Sequence, residues 1–384
     1  MHLLEQLKQA SQLSGRSRYD IALEALRLRV SGIRLGLSEY IDFQLYQNDL
    51  TWEQKKMFGG VRIQRVIEDI VIDDYSRFLA LDKVTMYTLF DGWGFPIPRV
   101  RATYRSLRPS SIPQLHTPAE LEAYLEQPGN TPVYMKRSFG AYGRGNTLVT
   151  GVERGMVMTG GGKSEAMADF VASIDDGRSL GWMLQEPLAS HASITELTGS
   201  KKISGIRLHT FLSKGSALPT KAIFKVNVGV RDTDNFEHGA SGNMLAGVDI
   251  ATGRVFRTVM GIGVKQVVNA GHPVTGKEIV GFEIPYWKET VALVTEAQKA
   301  FPGFLCPGWD IAICDDGPKI LEVNACGDID LSQHACRSSF FDETFMALMK
   351  ERQLAALLTV VNSGGSKKSS LNHRTGIRKH HWQW

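Results

Sequence analysis

Gly308-Trp-Asp310-Ile-Ala-Ile-Cys-Asp-Asp-Gly317-Pro-Lys-Ile-Leu-Glu322-Val-Asn324 reads as two short strands around a turn. Both runs are apolar and β-branched, and Asp315-Asp316-Gly317 between them has turn chemistry. With these three residues as the loop, Gly317 takes the left-handed position of a type I turn followed by a G1 bulge. Residue 314 then faces 318, and 310 faces 322. Side chains alternate along a strand, so Asp310, Glu322 and Asn324 emerge on one face. Opposed residues have Cβ atoms about 5 Å apart, and two carboxylates there repel unless something cationic lies between them. Oxygen donors without His or Cys suit Mg²⁺ better than zinc. The competing reading is a surface hairpin with solvated acids. A two-residue loop would turn Asp310 to the opposite face and weaken the metal reading.

Outward from this hairpin the chain mixes strands and helices. Val133 to Lys136, Thr147 to Thr150, Trp182 to Glu186, Ile206 to Leu212, Ala222 to Val230 and Val264 to Val268 are short, β-rich and turn-bounded. A helix is expected from Tyr286 to Ala300 and another from Phe341 to Val361. Thr117-Pro118-Ala-Glu120 combines a cap, a proline at the first helical position and an early acid, and so starts a helix. Before residue 81 the pattern is helical: Ile21, Leu23, Leu26, Val30, Ile33, Leu37, Ile41, Phe43 and Leu45 recur at helix spacing, Thr51 with Gln54 makes a capping box, and Val61 to Leu81 continues helix-like. Asp82 to Asp91 reads as a short helix stopped by Gly92 and Gly94, before a strand from Arg99 to Tyr104. The mixture predicts an α+β fold, not a doubly wound parallel sheet.

Val133-Tyr-Met-Lys136-Arg-Ser-Phe-Gly140-Ala-Tyr-Gly143-Arg-Gly145-Asn-Thr-Leu-Val149 is strand, glycine loop, strand. Glycines let backbone N–H groups point at phosphates, and Lys136 adds a charge at the strand end, although an ordinary glycine hairpin reads the same way. Gly160-Gly-Gly162-Lys163-Ser164 fails as a Walker A loop because Val157 stands where its first glycine is required. No Gly-x-Gly-x-x-Gly opens a βαβ unit, so a Rossmann dinucleotide site is unsupported.

The 384 residues carry 44 Lys+Arg against 40 Asp+Glu, a net charge of +4. Five of those cations, Lys367, Lys368, Arg374, Arg378 and Lys379, fall after Ser363, where there is no acid. Without them 39 cations face 40 acids, a net of −1. The basic excess is thus a tail property, and nucleic-acid or other polyanion binding through that tail is the disfavoured alternative class. The four cysteines contain no Cys-x-x-Cys pair, and no apolar run approaches the roughly 20 residues of a membrane span. A cytoplasmic protein with reduced thiols and no membrane partner is expected.

The order of these pieces resembles the ATP-grasp superfamily. Asp310 followed by Glu322-Val-Asn324 looks like its Mg²⁺-binding motif, Lys136 before the glycine loop is similar to its phosphate-contacting lysine, and Lys83 ahead of Gly94-Phe-Pro-Ile-Pro98 is similar to its second ATP lysine. Trp182-Met-Leu-Gln185-Glu186-Pro-Leu188 resembles the strand that frames adenine. The narrower likeness is to the sugar-transfer-associated branch related to α-L-glutamate ligases, on Ser38-Glu-Tyr-Ile-Asp-Phe43, Gly205-Ile-Arg207-Leu-His-Thr210, Asp234-Asn235-Phe and His272-Pro273. The superfamily often begins with a Rossmann-like domain, whereas residues 1–80 read as helices here.

The resemblance implies two α+β subdomains clasping ATP. Its expected boundaries are a helical region at 1–80, a linker subdomain at 81–131, a subdomain with the glycine loop at 132–200, a subdomain with the Mg²⁺ site at 201–361, and a basic disordered tail at 362–384. It implies Mg²⁺, with Mn²⁺ as a substitute, on Asp310, Glu322 and Asn324. It implies ATP on Lys83, Lys136, Gly140, Gly143, Gly145, Gln185, Glu186 and Leu188, with His191 at the ribose. Arg207 and Lys136 are the expected catalytic residues. The implied activity joins a small-molecule carboxylate to an amine through an acyl phosphate, in polysaccharide or secondary-metabolite biosynthesis. Transfer of phosphate to a hydroxyl is the enzymatic alternative.

Overall fold

A computed structural model describes residues 3–30, 35–107, 111–140, 145–174, 180–229, 232–352 and 354. Gly143, the end of the expected closing helix and the basic tail lie outside them. The chain forms two compact units: residues 1–71 with 263–265 and 328 onward, and residues 72–262 with 266–327.

The first unit is helical, with helices at Leu3–Ser14, Arg18–Val30, Leu37–Asp42, Trp52–Lys56, Val61–Val71, Ile329–Cys336 and Glu343–Glu351. Arg18–Val30 buries Ile21, Ala25 and Leu28, a stripe at spacing i, i+4, i+7. Leu26 and Val30, expected inside, lie off that stripe and are exposed. Half-buried Glu24 meets Arg16 at 3.0 Å, Lys55 at 2.9 Å and the Tyr40 hydroxyl at 2.8 Å, so the charge is paired where it leaves water. Glu39 accepts from Gly36 N at 2.6 Å and Val61 N at 2.8 Å, holding two helix starts with one carboxylate. The Thr51/Gln54 capping box forms as expected.

The second unit contains two sheets. In the first, β1 (Val100–Tyr104), β2 (Gln114–Leu115), β3 (Val133–Arg137), β4 (Thr147–Glu153), β5 (Met156–Thr159), β6 (Ser164–Ala166) and β7 (Trp182–Gln185) run in the order β2-β1-β7-β3-β4-β5-β6. In the second, β8 (Ile206–Ser213), β9 (Ser216–Val226), β10 (Met244–Val248), β11 (Val255–Met260), β12 (Val267–Val268), β13 (Gly308–Cys314) and β14 (Gly317–Asn324) run in the order β12-β11-β10-β9-β8-β13-β14. Among the described residues only the β1–β2 pair is parallel. One face of the first sheet buries Val133, Met135, Leu184 and Trp182 with Leu121, Leu125 and Phe170 from its helices. The second sheet packs Leu208, Phe224, Val226, Ile311 and Ile313 against Val294 and Ala297 of the Trp287–Ala300 helix. Thr117 caps the Pro118–Glu126 helix as expected. The helix-like stretch at 61–81 breaks at Val71, and Asp73 caps a fresh start at Asp74 by accepting from Ser76 N. The strand expected from Val264 to Val268 is instead a 3₁₀ turn at Gly263–Lys265 and a two-residue strand at Val267–Val268.

The deciding hairpin departs from expectation in its loop. Cys314 pairs with Gly317, leaving Asp315 and Asp316 alone as the turn. A strict ladder from that turn would set Asp310 opposite Leu321. Instead Ile311 pairs with Ile320 and Asp310 with Glu322, so one extra residue, Leu321, bulges out of β14. The bulge reverses the inside–outside parity and returns Glu322 to the Asp310 face. The expected 310–322 pairing stands, reached by a shorter loop and a compensating bulge.

Candidate active site

Four strands carry one charged face. Asp310 on β13 is paired with Arg207 on β8, and Lys225 on β9 lies two residues beyond Ile223, the partner of Arg207. Arg207 grips Asp310 through Nε–Oδ1 at 2.6 Å and Nη2–Oδ2 at 3.0 Å, while Lys225 Nζ lies 3.4 Å from Oδ1. Lys225 also donates to Asp234 at 3.1 Å, and Asp234 accepts from Gly205 N at 2.9 Å. Asp310, one of the two acids, is therefore already paired with cations of this chain. Burial pushes the Asp310 carboxyl up, but the Arg207 and Lys225 charges prevail and hold it well below its ordinary range. Burial likewise opposes the Lys225 ammonium, and Asp234 with Asp310 keeps it charged.

Asn324 Nδ2 lies 3.5 Å from Asp310 Oδ2 and 3.4 Å from Glu322 Oε1, so all three side chains share the face, as expected. Among the described residues no group of three His, Cys, Asp or Glu side chains could hold a metal ion. The donor set is two carboxylates and an amide. An ionised carboxylate offers about four lone-pair positions, so the Arg207 fork does not exhaust Asp310. These donors fit a hard divalent cation such as Mg²⁺.

Behind Arg207, fully buried His209 is driven down to about 3, first by burial and then by the neighbouring guanidinium, so its imidazole is neutral near pH 7. Gly308 and Gly327 pack against both side chains. A Cβ on Gly327 would stand 2.7 Å from Arg207 Nη1 and 3.1 Å from His209 Nε2.

Lys136, at the end of β3, is buried. Its Nζ donates to the Tyr87 hydroxyl at 2.8 Å and to Leu321 O at 3.4 Å, and lies 4.3 Å from the Tyr87 ring centroid. Burial lowers its pKa to about 7, against the pull of Glu322 and with a push from Lys83. Lys83 opens the Lys83–Gly92 helix, is buried rather than solvated, and donates through Nζ to Gly140 O. Its backbone N donates to Ser138 O at 2.9 Å, and Gly140 N donates to Leu81 O at 3.1 Å. Gly140 has φ +119° and Gly145 φ +80°, values that suit glycine.

The expected adenine strand gives a mixed result. Gln185 is buried and its Oε1 has no hydrogen-bond partner among the described residues. Glu186 is committed locally: Oε1 accepts from Arg99 N at 3.0 Å and lies 3.8 Å from Lys319 Nζ. Leu188 is half-buried. His191 caps the Ala192–Thr198 helix, its Nδ1 accepting from Ser193 N at 3.1 Å. His272 Nδ1 lies 3.4 Å from both Val274 N and Thr275 N, holding a turn. Asn235 O accepts from Asn243 Nδ2 at 2.9 Å, and His238 lies in a left-handed turn.

Sequence reasoning missed Tyr87, Lys225, Asp234 and His209 as members of this cluster. Lys225 did leave a signal: it is the one charge in Ala222-Ile-Phe-Lys-Val-Asn-Val228, where a buried cation needs a buried anion.

Residues 71–346 match the model of the family described as sugar-transfer associated ATP-grasp. No curated protein matches the chain. Among solved structures, carboxyaminoimidazole ribonucleotide synthase from Aspergillus clavatus, complexed with ATP, is 13% identical with a TM-score of 0.37, over 68% of this chain and 50% of that one. D-Alanine-D-alanine ligase from Helicobacter pylori is 9% identical with a TM-score of 0.41, over 75% and 61%. The chain thus spans about half the length of the first of these. Both likenesses are distant, and the family assignment rests on the family match. No described helix is long and apolar enough to cross a membrane.

Proposed function

The chain belongs to the sugar-transfer-associated ATP-grasp family, and from that premise we propose that it is an ATP-dependent ligase joining a carboxylate to an amine. The observation that supports this reading best is the meeting of Lys136 from the first sheet with the Asp310, Glu322, Asn324 face of the second, across Leu321 O. Phosphoryl transfer needs alignment and charge neutralisation more than covalent help, and this face carries those groups.

In this reading Lys83 and Lys136 hold the phosphates of ATP, with Gly140 and Gly145 beside them. Gln185, Glu186 and Leu188 frame adenine; Gln185 Oε1, without a hydrogen-bond partner among the described residues, is an acceptor for an exocyclic amine. Asp310, Glu322 and Asn324 would hold Mg²⁺, which when bound neutralises phosphate charge. Arg207, oriented by Asp310, presents its guanidinium to the transferred phosphate or the substrate carboxylate. A carboxylate oxygen attacks the γ-phosphorus and ADP departs with the bridging oxygen. The amine then adds to the acyl carbon, phosphate leaves, and the amine loses a proton, giving an amide.

Incubation with ATP, Mg²⁺, candidate carboxylic acids and hydroxylamine should yield a hydroxamate together with ADP. ADP release with alcohols and never with acids would replace the ligase by a phosphotransferase acting on a hydroxyl.

A further inference from the structure

Tyr87 has no role in the reading above, yet its hydroxyl is a point where the two sheets are tied. The side chain is fully buried on the Lys83–Gly92 helix, one turn after Lys83 and on the same face. Its OH donates to Leu321 O at 2.7 Å and accepts from Lys136 Nζ at 2.8 Å. The proton count is closed: the single phenolic proton goes to the carbonyl, and a lone pair takes the ammonium. Burial, reinforced by the Glu322 charge, keeps that phenol protonated.

Leu321 is the bulged residue of β14, so its carbonyl needs a partner that the strict ladder would otherwise supply. It also immediately precedes Glu322. One hydroxyl therefore fixes the lysine and the backbone that presents the acid. We propose that Tyr87 is a positioning residue that sets the spacing between Lys136 and the Glu322/Asn324 pair, so that the ammonium meets a phosphate instead of collapsing onto the carboxylate. This rests on the assignment of Lys136 to ATP.

The test is a double-mutant cycle on nucleotide affinity, with Tyr87→Phe, Lys136→Met and both together titrated with ATP and Mg²⁺ by calorimetry. Tyr87→Phe removes one oxygen and leaves the ring. It should weaken ATP binding about tenfold, the worth of one charge-assisted hydrogen bond. In the Lys136→Met background the same change should cost clearly less, because only its hold on the Leu321 carbonyl is then left to lose. Val84→Ala, in the same apolar cluster as Tyr87, controls for loosening of the helix and should lower stability without changing affinity. Equal losses in both backgrounds, no loss from Tyr87→Phe, or an equal loss from Val84→Ala would each overturn the proposal and leave the ligase reading standing. A parent protein that binds no ATP, or a Lys136→Met variant that binds it undiminished, would overturn both.

Discussion

Replacing Asp310 by Asn keeps the side chain's shape and removes its charge from a buried pocket holding Arg207 and Lys225. The parent carboxylate takes a two-point grip from Arg207, at 2.6 and 3.0 Å, and a further cation at 3.4 Å. The variant amide keeps one oxygen and turns an N–H₂ group toward donors, so one arm of the fork is lost. Breaking a buried pair in this way costs about 3 kcal/mol, the lower end of the usual range, because the orphaned cations remain out of water. Glu322→Gln is the comparison. Glu322 is half-buried, Asn324 at 3.4 Å is its hydrogen-bond partner, and a glutamine oxygen can still accept, so the expected loss is below about 1 kcal/mol. Urea unfolding at pH 7, with both variants read in the same transition, measures the difference. The acid side supplies a second readout. The Asp310 carboxyl is depressed in the fold and ordinary, near about 3.9, in the unfolded chain, so its stabilisation is present above that value and lost as pH falls through it toward the folded value. Asp310→Asn should flatten the parent's stability loss in that window. Equal stability of Asp310→Asn and parent, or a Glu322→Gln loss as large as that of Asp310→Asn, would refute the charge-chain argument.

Lys136→Met should be more stable than the parent at pH 7. The buried lysine titrates near 7 in the fold and near about 10.4 unfolded, so the unfolded chain holds the extra proton between these values and parent stability rises with pH across them. The advantage of the variant should shrink toward pH 10, as followed by denaturant midpoints at stepped pH. A second change, Gly327→Ala, places a methyl 2.7 Å from Arg207 Nη1 at a residue with φ +69°. Displacing that guanidinium should lower ADP release about 10- to 100-fold while circular dichroism stays that of the parent.

Several features were legible because they depend on neighbours in sequence. The Thr117-Pro118 start, the Thr51/Gln54 box and the sharing of one face by Asp310, Glu322 and Asn324 all formed. The hairpin shows the limit of such reasoning. Its loop is two residues long, which taken alone points Asp310 the wrong way. The Leu321 bulge that corrects it leaves a carbonyl satisfied by Tyr87, far away in the chain. His191 illustrates a different gap: its Nδ1 caps a short helix, a role its residue type did not announce.

Local sequence sufficed for most of the strand segments, the acid spacing, the lysine before the glycine loop and the placement of the basic excess in the last residues. Those follow from local periodicity and composition, which each short segment carries with it. Only the tertiary structure decided that Asp310 is already neutralised by Arg207 and Lys225, that Lys136 is buried on Tyr87, and that Leu321 sets the acid register. Each of those facts joins residues far apart in the chain, and the energy that fixes them, pairing charges and polar groups withdrawn from water, exists only once the strands have assembled.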